Sequence, residues 1–303
     1  MLLSYIVKQT ILDGLRNVLL SRGSFDTFPG PFWKAVSSLN TYGTNAIEGN
    51  TLTQDEVDKV IVDREGVKKP INFILETIQH ESAFRHLLER RARAIDLVTI
   101  LELHEEVFKG LLPDYGQWRR VNVLIRGASF TPPRPEKIVG KMEVLLKEYD
   151  QREIAGEDAF TLAAWLHYNF ECIHPFSDGN GRVGRLLLNL HFLKHNWPPV
   201  NVMPSDKGRY LDALGRGDKG EIAPLSNYLK FIMGGSLLNF LSYVGTKEDE
   251  LKQLVMLEGD VPYSAKYLSL RARQGELPAV MIKNEWHTSR RAIDLYIKEA
   301  GRE

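Results

Sequence analysis

The chain has 303 residues, of which 39 are Lys or Arg and 39 are Asp or Glu, so its formal net charge is zero. This balance excludes a globally basic nucleic-acid or membrane-surface binder. The longest uncharged apolar run, 231–246, is shorter than the roughly 20 residues that a membrane span needs, so we expect no membrane association. The single cysteine, Cys172, excludes an intramolecular disulfide framework and favours a reducing, cytoplasmic location.

The first 50 residues predict two helices joined by an aromatic-rich loop. Apolar residues recur at helical spacing over 4–20, and a second helix is predicted over about 33–49. Near its end, Thr44 and Glu48 are one turn apart, and Gly49 is the residue type that ends helices in the left-handed conformation. The helix dipole disfavours a carboxylate there, so we expect Glu48 to have a cationic partner elsewhere; a solvated helix-end carboxylate is the alternative.

Residues 51–112 have the pattern of charged amphipathic helices, and a different pattern follows. The segments 121–125 and 128–131 flank a plausible turn and predict a β-hairpin. A hairpin on a helical protein exposes backbone groups that can pair with an extended segment of a target, or it merely covers the core. The residues of its tip are Ile125, Arg126, Gly127, Ala128, Ser129 and Phe130.

The most informative stretch is 174–185, His-Pro-Phe-Ser-Asp-Gly-Asn-Gly-Arg-Val-Gly-Arg, between two predicted helices. Gly179 and Gly181 allow backbone angles at which consecutive amides converge on an anion, and the following helix adds its positive dipole end. Arg182 and Arg185 lie on one face of the first turn, where they can hold successive phosphates. These features predict a polyphosphate site.

Two further side chains of this stretch add chemistry. Asp178 offers the hard oxygen that Mg²⁺ prefers. His174 has the only side chain here whose unperturbed pKa lies near neutrality, so it is the candidate general base. The alternative, a surface loop before a core helix, is disfavoured because a histidine, an aspartate and two arginines occur in register.

The stretch resembles the signature of the Fic family, His-Pro-Phe-x-(Asp/Glu)-Gly-Asn-Gly-Arg-x-x-Arg, at every fixed position. The resemblance implies a mainly α-helical bundle with a β-hairpin flap, which transfers AMP from ATP to a Ser, Thr or Tyr hydroxyl of a target protein with Mg²⁺ as cofactor. It implies that His174 deprotonates the target hydroxyl and that Asp178 holds Mg²⁺. Asn180 and the loop amides would contact the α-phosphate, and Arg182 and Arg185 the β- and γ-phosphates.

Shorter motifs support the same resemblance. Residues 44–49 resemble the inhibitory motif (Ser/Thr)-x-x-x-Glu-(Gly/Asn), which implies that Glu48 pairs with Arg185 and blocks placement of the γ-phosphate. Residues 116–119, Gly-Gln-Trp-Arg, resemble the element that precedes the flap, which implies that the flap aligns the target hydroxyl over His174.

The adenine pocket and the C-terminal region rest on weaker patterns. Tyr210 and Leu214 match a Tyr-x-x-Ala-Leu element and are candidates for the adenine pocket, with helix packing as the alternative. Beyond a boundary near 245–250, the element order resembles excisionase-like winged helix-turn-helix domains. We therefore expect a helical region over 1–95, a catalytic core over 96–244 and a small winged-helix-like domain over 250–303. Its candidate DNA contacts are Lys266, Arg271, Arg273, Arg290 and Arg291, although we favour docking to protein.

Two alternative functions follow from the same residues. A phosphotransferase of this fold would bind the nucleotide inverted, but that sister activity usually departs from the Gly-Asn-Gly loop retained here. A non-enzymatic regulator would sense nucleotide and bind DNA. The sequence leaves open self-modification, a homodimer, and removal of AMP from a target with Glu48 orienting water.

Overall fold

The computed structural model of the protein describes residues 7–125 and 127–301. These residues fall into two compact units: 29–225, and the flanking residues up to 28 together with those from 226. The units divide the chain at points other than the predicted domains 1–95, 96–244 and 250–303, which stay a prediction. Within the described ranges, no helix combines the length and the apolar character needed to cross a bilayer.

The structure is mostly helical, as the sequence predicts. The helices are α1 Gln9–Ser21, α2 Gly30–Ile47, α3 Gln54–Asp58, α4 Ile71–Arg90, α5 Leu97–Phe108, α6 Ile138–Ile154, α7 Ala159–Ile173, α8 Asn180–Lys194, α9 Lys207–Gly215, α10 Ala223–Val244, α11 Ala265–Gln274 and α12 Arg290–Ala300. The strands are β1 Lys252–Gln253, β2 Val280–Ile282 and β3 Glu285–Thr288.

Helix α8 lies at the centre of the unit 29–225. Every residue from Arg182 to Leu193 on this helix is buried. A helix that is buried on all sides must be surrounded by other elements, and α8 contacts α2, α4, α5 and α7. Its first turn, which carries the glycine- and arginine-rich stretch, is thereby held against the ends of α2 and α7.

Helix α2 corresponds to the helix predicted over 33–49. It begins three residues earlier, at Gly30, because Pro31 fits the first turn of a helix, where its missing N–H costs nothing. It ends as predicted: Glu48 is the C-cap residue, and Gly49 has a left-handed φ of 96°. The Lys207 ammonium donates to the last carbonyl, Ile47 O, at 2.7 Å.

The β-hairpin predicted over 121–131 is wrong as a pair of strands: the described residues on both sides of position 126 form a loop without a strand ladder. Arg126 itself lies outside the described residues. An isolated two-stranded hairpin is marginal in water, and here its backbone groups bond elsewhere. The carbonyl of Val121 accepts from Arg119, and the Ser129 N–H donates to Asp218. We keep the name flap for residues 121–133.

The other unit contains the described part of the N-terminus and the C-terminal region. Strands β1, β3 and β2 form an antiparallel sheet in that order, and Lys283 and Asn284, both with positive φ, make the tight turn between β2 and β3. Helix α1 packs on α12. The sequence predicts this helix over 4–20, and in the structure it spans 9–21. Residues 4–6 lie outside the described ranges. The element order agrees with a winged-helix-like domain, and that assignment stays a prediction.

Candidate functional site

The site forms where α7 ends and α8 begins. His174 is the C-cap of α7 in a left-handed conformation, with φ 50° and ψ 61°, and Gly179 is the left-handed N-cap of α8. A histidine with positive φ is strained and persists only where its surroundings fix it. The left-handed conformations of His174 and Gly179 reverse the chain and place the His174 side chain beside the first turn of α8.

Phe176 anchors the loop between the two helices. Its side chain is fully buried, with the His104 ring stacked on it at 3.8 Å and the Trp118 ring at 5.2 Å. The Gly116 N–H donates to His104 Nδ1, so Nε2 carries the hydrogen and donates to Asp178 O at 3.2 Å. Burial lowers the pKa of His104 to about 4, so the imidazole that connects Gly116 to Asp178 is neutral. No sequence motif marks His104, because its partners lie in distant segments.

Asn180 has a structural side chain. Its Oδ1 accepts from the Phe176 N–H and its Nδ2 donates to Phe176 O, both at 2.9 Å. The side-chain amide is buried and occupied by these bonds. A contact between Asn180 and a phosphate would therefore come from its main-chain N–H.

His174 has the tautomer that a general base needs. Its Nδ1 lies 3.3 Å from Glu171 O, and a carbonyl can only accept, so Nδ1 carries the hydrogen and Nε2 the lone pair. Burial lowers the pKa of His174 below its ordinary value and outweighs the opposing effects of the hydrogen bond to Glu171 O and of nearby acidic groups. The imidazole is therefore neutral at physiological pH.

The predicted contact between Glu48 and Arg185 is present. Arg185 Nη2 donates to Glu48 Oε1 at 2.6 Å, and Arg185 Nε donates to Thr44 Oγ1 at 2.6 Å. Burial alone would raise the pKa of Glu48, but the Arg185 guanidinium holds it below its ordinary value. A Cβ on Gly181 would lie 2.5 Å from Glu48 Oε1, so a larger residue at position 181 would displace this carboxylate from its position on Arg185.

Arg182 is a buried cation with unused donors. Its guanidinium lies over the Phe108 ring at 4.4 Å, with Nη1 3.6 Å from Glu76 Oε2 and Nη2 3.7 Å from Asp178 Oδ1. Within the described ranges, Nε and Nη1 have no hydrogen-bond partner. Buried polar groups normally find one, so these donors fit an anionic ligand.

Asp178 is the predicted Mg²⁺ ligand, and its surroundings fit that role. Its side chain is 62% exposed, and one oxygen accepts from the Gly179 N–H at 2.6 Å. The part of the chain that the structure describes contains no cluster of three or more acidic, His or Cys side chains that could hold a metal. Mg²⁺ is commonly held by one or two carboxylates together with phosphate oxygens, and the exposed Asp178 carboxylate fits that arrangement.

A cavity of about 720 Å³ joins the predicted parts of the site. Its lining combines the inhibitory, catalytic, phosphate, adenine and flap candidates: Glu48, Ile125, Gly127, Ala128, Phe130, His174, Gly181, Arg185, Tyr210 and Leu214. Tyr210 is nearly fully buried, and its hydroxyl donates to His167 Nε2 at 2.7 Å. Leu214 also lines the cavity, and the adenine-binding role of both residues stays a prediction.

Two acidic residues line this cavity although no sequence motif indicates a role for them. Asp218 holds the flap, because its Oδ2 accepts from the N–H and hydroxyl of Ser129 at 3.1 and 2.8 Å. Glu171 has its Oε2 3.9 Å from His174 Nδ1, while its Oε1 is buried without a hydrogen-bond partner in the described structure. Burial raises the pKa of Glu171 to about 7 against the opposing charge of Arg185.

Comparison with known proteins identifies the segment that contains most of the site. The family profile that matches residues 94–192 is that of the Fic/DOC family. These residues form a Fic domain. Protein adenylyltransferase fic-1 of Caenorhabditis elegans is 29% identical over 219 residues, which are 70% of this chain and 43% of that protein. The chain thus spans less than half the length of this curated relative.

Solved structures that contain a Fic domain share the fold of this chain. A Fic domain-containing signalling protein from Bacteroides thetaiotaomicron has a TM-score of 0.67 at 24% identity, covering 77% of this chain and 97% of that one. A Fic family protein from Desulfovibrio desulfuricans has a TM-score of 0.65 at 20% identity, covering 95% of this chain and 98% of that one.

Proposed function

We propose that the protein is a protein adenylyltransferase that transfers AMP from ATP to a Ser, Thr or Tyr hydroxyl of a target protein. One observation carries the proposal: His174, whose tautomer leaves Nε2 free of hydrogen, lines the same cavity as Gly181 and the buried Arg185. A base beside a polyphosphate cradle suits attack of an alcohol on a phosphorus atom. Relatives named protein adenylyltransferase add support.

In the proposed reaction, the target hydroxyl gives its proton to His174 Nε2 as its oxygen bonds to the α-phosphorus. The bond between the α-phosphorus and the bridging oxygen to the β-phosphate breaks, and pyrophosphate leaves. The Asn180 and Gly181 amides and Arg182 stabilise the phosphate charge in place, because the Gly179 N–H is already occupied by the Asp178 carboxylate. Mg²⁺ held by Asp178, when bound, would neutralise further phosphate charge.

We also propose that Glu48 inhibits the enzyme. Its carboxylate occupies the Arg185 guanidinium that would otherwise bind the γ-phosphate. Removal of AMP from a modified target would be a hydrolysis at the same site: water oriented by Glu48 attacks the phosphorus, the bond to the target oxygen breaks, and AMP and the free hydroxyl are released. Self-modification and a homodimer belong to the same proposal.

We also propose that the predicted domain over 250–303 docks to protein and does not bind DNA. Of its candidate DNA contacts, Arg271 pairs with Glu276 at 2.7 Å and Arg290 with Asp294 at 2.9 Å, which reduces their capacity for phosphate contacts. Salt-dependent binding to specific DNA without a covalent product would instead support the regulator.

Intact-mass measurement after incubation with ATP and Mg²⁺ tests the proposed activity. A Glu48→Gly variant should gain the mass of an adenylyl group on itself or on a protein of an added lysate, and Glu48→Gly with His174→Ala should gain none. A phosphoryl adduct would identify the phosphotransferase instead. Absence of any adduct on the protein and on lysate proteins would reject the enzyme.

A further inference from the structure

Arg119 is a buried cation that bonds to main-chain carbonyls. The residue is 2% exposed, and within the described ranges no carboxylate forms an ion pair with it. Its Nε donates to His174 O at 2.7 Å, Nη1 to Val121 O at 2.7 Å, and Nη2 to Pro133 O at 2.6 Å. Its own N–H donates to Pro175 O at 2.9 Å.

These acceptors lie on two parts of the proposed active site. Val121 and Pro133 are the two ends of the flap, where the chain leaves and rejoins the helical body. His174 and Pro175 belong to the loop that carries the proposed base. One planar side chain thus joins both ends of the flap to the backbone of the catalytic histidine.

The chemistry of this contact differs from that of an ordinary structural ion pair. A guanidinium has donors in a rigid plane, so bonds to three carbonyls fix the relative positions of the segments that carry them. Burial without a carboxylate partner lowers the pKa of Arg119, a sign that its charge is desolvated at a cost. A neutral core side chain would join the segments without that cost, but it would not set their distance through three directed bonds.

We propose that Arg119 is a positioning residue, which sets the distance and angle between the flap and the His174 imidazole and so aligns the acceptor hydroxyl with the base. This inference rests on the proposed function. The left-handed conformation of His174 supports it, because a strained backbone persists only where bonds such as Arg119 Nε to His174 O hold it.

The test compares Arg119→Lys with Arg120→Lys, each in the Glu48→Gly background. Lysine keeps the charge but cannot reach three carbonyls at once. Arg120 is the matched control, because it is adjacent and exposed, and its guanidinium bonds only weakly to Gln117 at 3.5 Å. With α-labelled ATP and the protein itself as acceptor, kcat of self-modification should fall about 100-fold for Arg119→Lys, as expected for a misplacement of about 1 Å. It should stay within about twofold for Arg120→Lys.

Two readouts separate positioning from general stability. Binding of ATP, measured by calorimetry, should change less than about twofold in Arg119→Lys, because the phosphate cradle lies on α8. Hydrogen exchange should accelerate at the flap amides 127–131 and in the loop 174–179, and stay unchanged over 186–193. Parallel losses in ATP affinity, thermal midpoint and exchange protection of α8 would overturn the proposal, and so would unaltered activity and exchange.

Failure of the proposed function has a different signature. In that case, the Glu48→Gly protein with Arg119 intact would show no AMP transfer. The hydrogen-exchange comparison would still report whether Arg119 joins the flap to the histidine loop.

Discussion

Replacing Glu48 by glycine removes the carboxylate that bonds to Arg185, and we expect AMP transfer to rise. The two side chains meet at 2.6 Å at the start of α8, where the γ-phosphate of ATP would need the same guanidinium. Glycine is tolerated at this helix end because the following Gly49 already provides the left-handed residue. The change should therefore act on the site and spare the fold.

The size of the effect follows from the burial of the two partners. The Arg185 side chain is 6% exposed and that of Glu48 is 37% exposed, so the pair lies between a surface pair and a buried one. Surface pairs contribute up to about 1 kcal/mol and breaking buried ones costs about 3–5 kcal/mol, so we take about 2 kcal/mol for displacing Glu48. That energy corresponds to about a 30-fold increase in the fraction of protein able to place the γ-phosphate.

The assay is the initial rate of AMP incorporation at subsaturating ATP with matched Mg²⁺. Glu76→Gln is the control, because Glu76 is the carboxylate near the other arginine, Arg182, at 3.6 Å. If a more positive pocket merely attracted ATP, both variants would be activated alike. Equal rates for Glu48→Gly and the unmodified chain, or equal activation by Glu76→Gln, would refute the inhibitory assignment.

Three predictions concern stability. Gly179→Ala should cost about 3 kcal/mol in urea unfolding, because it strains a φ of 81° and places a Cβ 2.1 Å from the Phe108 ring; an unchanged midpoint would contradict this packing. Burial raises the pKa of Glu171 from 4.5 to about 7, so the folded state binds more protons between these values and stability falls as pH rises through them. Glu171→Gln should remove this fall, about 3 kcal/mol between pH 4.5 and 7, and an identical pH profile in the variant would count against it. Asp249→Asn should cost about 3 kcal/mol in thermal unfolding, because it leaves the part-buried Arg291 guanidinium without its fully buried carboxylate; a loss below about 1 kcal/mol would show that Glu248, at 2.9 Å, and solvent satisfy Arg291.

Local sequence was enough to predict parts of the fold whose causes are local. The end of α2 follows from Gly49, and the reversal before α8 follows from Gly179, because glycine adopts left-handed angles without a Cβ penalty. The contact between Glu48 and Arg185 was predictable only through a family motif, since 137 residues separate the two partners along the chain.

The flap shows where local sequence fails. Its β-propensity predicts strands, but propensity in a strand reflects the packing available to it, and a ladder forms only if the backbone groups are not taken elsewhere. Here Arg119 donates to the Val121 carbonyl, and Asp218 accepts from the Ser129 N–H. These two backbone groups are therefore not available for a strand ladder. His104 and Glu171 were missed for a related reason: their roles depend on a ring and an imidazole brought close by the fold.

Gly181 connects the proposed catalysis with the proposed inhibition. Its main-chain amide belongs to the anion-binding turn, and its missing side chain leaves the space in which Glu48 Oε1 lies, 2.5 Å from where a Cβ would be. The carboxylate is an anion held where the cradle is built to hold anions, beside the same Arg185. Under the proposed function, Glu48 competes with the nucleotide for charge stabilisation and need not close the cavity. Inhibition should then depend on the γ-phosphate of the nucleotide, whereas inhibition by a steric plug that shuts out ATP and nucleotide analogues alike would not.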